Sequence, residues 1–244
     1  MLKPKRLSAA RFVDLLYEAQ EDETAFSSFR GVTMHIVGEV EIPEPVTRLP
    51  SNVVFLGEFW ALGGKLTHFN HEVHGYAVFS DLPNLKQFGP KAKFLGGINL
   101  YNCPLVTFNH RVRGDACLDS ESLRSFGPKS RFEGMLDARG TSIRRFNHKV
   151  AGICEFTGVS ALRTLGPNAS FCRHLGLGGT GVEEFNNPVN GDVSFVVDGK
   201  PEIVPKLRKV GSKAIVRGDF IAPGAPITVF KGTVKGELKL KPNR

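Results

Sequence analysis

The chain has 244 residues, 41% of them hydrophobic, and a formal net charge of +8, so it can bury a sizeable core without staples; the charge permits an anionic partner but sets solubility and encounter rates, not identity. Its four cysteines lack the paired CxxC spacing of a zinc site, which predicts reduced thiols. No run approaches the roughly 18 apolar residues of a membrane span, and the N-terminus lacks a signal-peptide core. These features predict a cytoplasmic protein, or one delivered into a host cell without a cleaved signal.

Residues 1–30 read as an N-terminal helical cap. In Leu7 to Ala19, the residues Leu7, Ala10, Phe12, Leu15, Leu16 and Ala19 fall near one helical face, and Ser8 stands at a plausible N-cap.

Residues 31–244 repeat. Phe69, Phe108, Phe146 and Phe185, each followed by Asn, recur every 38 or 39 residues, with Phe88, Phe126 and Leu165, each followed by Gly-Pro, between them. The period is therefore 18 to 20 residues. Taking these residues as anchors extends the series back to Leu49 and forward to Val204 and Phe230, with an insertion near 206–212. Phe29 reads as a degenerate first member.

Within each period, apolar and small residues alternate with variable ones, as in Phe55-Gly57-Phe59-Ala61 and Val112-Gly114-Ala116-Leu118, which is strand periodicity. An apolar residue three before each anchor completes the coil. Each coil thus predicts a strand and a return segment, with an inward glycine that lets the two approach; Arg173 is the exception. The Asn or Gly after each anchor marks a turn of a kind that tolerates positive φ.

The segment 95–108, LGGINLYNCPLVTF, resembles the LxxLxLxxNxLxxL pattern of the leucine-rich-repeat family. The resemblance covers roughly Gly31 to Leu240 and is nearest to the short, about 20-residue repeats of bacterial effector-type members. It implies a mainly parallel β solenoid but does not point to one function, because the family supports many unrelated binding roles. The asparagine expected after the strand is Asn102 but elsewhere Ser120, Asp81 or Gly140. A parallel β-helix with coils of similar length is the alternative.

Signatures of catalysis are missing: no GxSxG elbow, no P-loop and no HExxH. His71, His110 and His148 form a column in alternate coils, roughly 10 Å apart and too far to share one metal, so they read as solvated turn residues. Cys117 and Cys172 face outward without a histidine beside them. The carboxylates Asp115, Asp119 and Asp137 read as solvated. The chain is therefore expected to be no enzyme and to hold no cofactor or metal.

The outward strand positions carry Glu58, Trp60, Tyr76, Val78, Asn99, Tyr101, Asp115 and Asp137. This aromatic and acidic face predicts engagement of a protein partner, of basic character. The return segments and turns carry Lys91, Arg111, Lys129, Arg131, Arg144, Arg145 and Lys149, a basic edge that offers nucleic acid or another polyanion as the alternative partner.

Overall fold

The computed structural model describes residues 11, 12, 14, 26–30, 33–197, 200 and 203–241. Through residues 33–241 the chain winds as a parallel β-solenoid of about eleven coils. Of the predicted cap, Arg11, Phe12 and Asp14 are helical, and Phe12 is fully buried in the core; most of 1–25 lies outside the described residues. Phe26–Arg30 is not helical. It is a strand running antiparallel to Thr33–Val37, so a strand rather than a helix lies along the first coil's edge.

A coil has up to three short strands, not one strand and a return. The first face is a 12-stranded sheet, the second an 11-stranded sheet, and the third is paired in pieces, such as Thr107–Phe108 with Ser125–Phe126. One coil illustrates the order: Lys93–Phe94 on the first face, Gly97–Tyr101 on the second and Thr107–Phe108 on the third. The alternation that reads as a single strand in the sequence runs through a bend between the first two faces, and inward positions stay inward across it. Phe55, Phe59 and Ala61 are all buried although Leu56 and Gly57 bend the chain between them.

The glycine at that bend does not point inward. A Cβ on Gly96 would meet the Gly75 carbonyl oxygen at 2.2 Å, and one on Gly114 would strike the Gly96 carbonyl, so the missing side chain makes room for the preceding coil rather than for a return segment. Arg173, the departure from glycine in this column, is exposed, and the position borders the outside of the bend.

Two link lengths alternate around the coil. After Phe69, Phe108, Phe146 and Phe185, three residues lead to a buried valine on the first face; after Phe88, Phe126 and Leu165, five lead to a buried phenylalanine. The smaller and larger inward residues thus alternate along the first face while the anchors fill the space between. The outcome is a column of stacked rings, Phe69 on Phe94, Phe94 on Phe108 and Phe108 on Phe132, each 6.2 Å centroid to centroid. Phe146 continues it to Phe171 at 5.9 Å. Burial of such rings, with about 0.5 to 1.5 kcal/mol per favourable ring pair beyond area, is the main cohesion between coils.

One anchor assignment fails. Phe185 pairs with Val210, whereas Val204 is 55% exposed, so the anchor of that coil is Val210 and the added residues lie between Ser194 and the buried Leu207. An insertion ahead of the anchor displaced the spacing that the sequence reading followed. Among the described residues no helix is long and apolar enough to cross a membrane.

Candidate functional site

The corner between the third and first faces is built by an alternation of Asn and Gly. Asn70, Asn109, Asn147 and Asn186 each accept, on their side-chain oxygen, the backbone N–H of Lys91, Lys129, Asn168 and Lys213 in the following coil, at 2.7 to 2.9 Å. The glycine of that following coil lies directly over the Asn side chain: a Cβ on Gly127 would meet Asn109 Oδ1 at 2.3 Å. None of these Asn or Gly residues has positive φ, so close packing and a hydrogen bond, not a left-handed turn, select them. Gly38 apart, positive φ among the described residues belongs to the corner after the second face, at Gly63, Asp81, Asn102, Gly140, Gly158, Gly179 and Gly224. There the departures from a leucine-rich-repeat asparagine find their reason: all but Ser120 are residue types that tolerate that conformation.

The histidine column is buried at His71 and partly buried at His110 and His148, not fully solvated. His71 is 5% exposed; its Nε2–H donates to the Pro50 carbonyl at 2.6 Å while Nδ1 accepts the Asn70 N–H at 3.3 Å. His110 bonds the Ala92 carbonyl through Nδ1 at 3.2 Å, and Asn187 takes the equivalent place by donating to the Gly166 and Ala169 carbonyls. Burial lowers the basicity of His71, His110 and His148 alike. These rings hold the link of the preceding coil in place. No cluster of metal-ligating groups exists among the described residues.

On the second face the expected site residues divide. Strand register sets Trp60, Val78, Asn99, Cys117 and Asp137 in one column, Tyr76 opposite Gly97 in a second, and Tyr101 with Ser80 and Asp119 in a third. The three aromatics therefore lie in three different columns on three successive coils rather than side by side. Tyr76 is half-buried: its ring covers Gly97, where a Cβ would meet it at 2.6 Å, and its hydroxyl reaches the Cys117 thiol and the Ile98 carbonyl. Burial raises the pKa of the phenol. Val78, though in an outward register, is only 7% exposed.

Asp115 spends its carboxylate on the fold. Its Oδ1 accepts the Met135 N–H at 2.7 Å, as Asp192 does for Asp219 and Asp219 for Glu237, each at 2.8 Å. Asp137 is held by Arg139 through two oxygens, at 2.6 to 3.1 Å. Glu58, Trp60 and Asn99 remain partly exposed, and Tyr101 is 48% exposed.

Tyr101 opens onto a groove that the sequence reading did not assemble. Asp81, Asn102, Asp119 and Glu121 line it together with Pro83 and Pro104, at the corner between the second and third faces. Asp81 accepts from Asn102 Nδ2 at 2.7 Å and from the Ser80 hydroxyl at 2.8 Å, and these bonds hold its carboxyl below the usual range. The signal was present in the turn residues after each strand, but only the coil register shows that they stack.

The basic residues also divide, between two faces and the corner joining them. Arg111, Arg131 and Lys149 share one column of the first face, Lys91 and Lys129 stand at the Asn/Gly corner, and Arg144 and Arg145 are on the third face. Comparison with protein-family models, with curated proteins and with solved structures returns no match.

Proposed function

We propose that the chain is a non-enzymatic binding solenoid whose second face and adjoining acidic groove receive an extended, basic segment of a partner protein. The observation that carries this reading is the groove itself. An exposed tyrosine stands among Asp81, Asp119 and Glu121 on a rigid stack, while the cations of these coils, apart from Arg139, lie on the other faces. An aromatic anchor rimmed by carboxylates suits a Lys- or Arg-bearing segment, through ring contact with the side-chain stem and charge steering along the corner. Glu58, Trp60 and Asn99 extend the surface toward the N-terminal coils. Tyr76, Val78, Asp115 and Asp137 support it from within the sheet. Up to three runs of parallel pairing per coil, with no helix among the described residues of 33–241, favour the β-helix over the leucine-rich repeat as the kind of solenoid.

The test is fluorescence polarisation with a labelled Lys/Arg-rich extended peptide and an acidic peptide of the same length. The basic peptide is expected to bind, and Tyr101→Ala or the pair Asp119→Asn, Glu121→Gln to weaken it by about tenfold, near the 1.4 kcal/mol expected of one good anchor. Equal binding of both peptides, or an unchanged affinity in the variants, overturns this reading.

A further inference from the structure

The first face carries a feature that the fold does not require. Lys93, Arg111, Arg131 and Lys149 are in register on four successive strands. Neighbouring strands are about 4.8 Å apart, and like charges directly opposite one another across a sheet destabilise it. Elsewhere in the same column neutral residues suffice, as at Ser170, Pro188 and Thr233. The two N-terminal cations are balanced: Lys93 bonds Glu72 at 2.7 Å, and the Arg111 guanidinium bonds Glu133, its Nε at 2.7 Å. Arg131 and Lys149 have no carboxylate partner among the described residues.

The same four coils continue the charge around the corner. Lys129 stands at the corner itself, and Arg124, Arg144 and Arg145 follow on the third face, all exposed and none paired with a carboxylate among the described residues. Acidic residues of these coils, Glu133 apart, lie on the second face or in its groove. The result is a convex, predominantly cationic ridge about 14 Å long, being three coil spacings.

We infer that this ridge binds duplex nucleic acid through its phosphates, without reading bases. Two observations select that partner. Charge density fits, because a duplex carries one negative charge per about 1.7 Å of axis and so presents about eight along the ridge, against the cations just named, of which Lys93 and Arg111 are balanced by carboxylates and, among the described residues, Arg124, Lys129, Arg131, Arg144, Arg145 and Lys149 are not. The ridge also offers no stacking platform: Phe88, Phe94, Phe108, Phe132 and Phe146 of these coils are buried, and Phe126 is packed against the core. Single strands are usually held by bases laid on exposed aromatic rings, which this surface lacks. The inference is independent of the acidic groove and uses none of its residues.

The experiment is anisotropy of a labelled duplex of mixed sequence over a series of salt concentrations, with the single strand and dextran sulfate as competitors. Duplex binding is expected, with a log–log salt slope of about −4, corresponding to four or five phosphates. Arg131→Gln, Lys149→Gln and Arg144→Gln are each expected to flatten that slope by about one and to act alike on unrelated sequences. Lys235→Gln on the last coil is the control and leaves it unchanged. These side chains are exposed, so the variants are expected to fold, and circular dichroism is the check. Tighter binding of the single strand, displacement by dextran sulfate at equal charge as readily as by unlabelled duplex, or a slope insensitive to all three ridge variants overturns the inference.

Discussion

The side-chain oxygen of Asn109 accepts the backbone N–H of Lys129, one coil on, at 2.8 Å, and in doing so fills the space that a side chain on Gly127 would need. The two-coil period in the sequence follows from this contact. A corner of Asn on Asn would collide, and a corner of Gly on Gly would leave each next coil's N–H without its acceptor.

Asn109→Gly is expected to lower stability by about 1 kcal/mol for the lost hydrogen bond plus a glycine's added freedom. Gly127→Ala alone collides with the Asn109 side chain and costs more. In Asn109→Gly/Gly127→Ala the obstruction is gone, so the two changes cost less together than their sum. Urea denaturation of the four proteins measures this coupling, and strict additivity would show that the two residues do not share the space.

Gly96→Leu places a side chain against the backbone of Gly75, which cannot move without shifting a whole coil. A loss of about 1 to 3 kcal/mol is expected from this overpacking. Gly63→Leu distinguishes crowding from strain, because nothing lies within 4 Å of a Cβ there and the φ of +59° supplies the only penalty. An unchanged melting temperature for Gly96→Leu would contradict the stacking of the bend.

His71, buried, and His110 and His148, partly buried, make stability depend on pH. Their folded pKa values lie below the unfolded value near 6.5, so the unfolded chain binds more protons, and stability is fully present above about pH 6.5 and declines as pH falls through the folded values. At His71 the structural reason is plain, since protonating Nδ1 would set a donor against the Asn70 N–H. Replacing His71, His110 and His148 with Asn, the residue that does the same work at 187, is expected to flatten the melting temperature between about pH 5.5 and 7. A variant with the wild-type acid slope would move the effect to carboxylates.

Much of the fold was legible because burial follows an 18- to 20-residue spacing that is regular along the sequence. Phe69, Phe88, Phe108 and the apolar residues three before them are all buried where the spacing places them. What escaped was three-dimensional. A bend that keeps inward residues inward leaves the alternation intact, so two strands read as one. Val204 had the right spacing and the wrong place, since a loop can lengthen a coil without changing the composition around it. The site suffered most, because alternation predicts which way a side chain points but not what lies on top of it. Tyr76 points outward and is covered by its neighbours; Asp115 points outward and is claimed by the next coil's backbone.

That distinction sharpens the expectation for the second face. Tyr76→Ala removes a ring that covers Gly97 and reaches Cys117 two strands away, so it is expected to destabilise by about 1 to 3 kcal/mol without depending on any partner. Trp60→Ala and Tyr101→Ala act on rings with more freedom. Tyr101 is nearly half exposed, and its column neighbours Ser80 and Asp119 are polar, so its loss is expected to change the melting temperature by no more than about 2 °C, the scale of a surface substitution. Thermal melts monitored by circular dichroism separate the three. The double variant Trp60→Ala/Tyr101→Ala is then the proper binding probe, folded as the wild type yet expected to lose capture of the basic peptide by tenfold or more. If it unfolds, these rings belong to the packing of the sheet, and if it folds and still binds in full, the partner surface lies elsewhere than the second face.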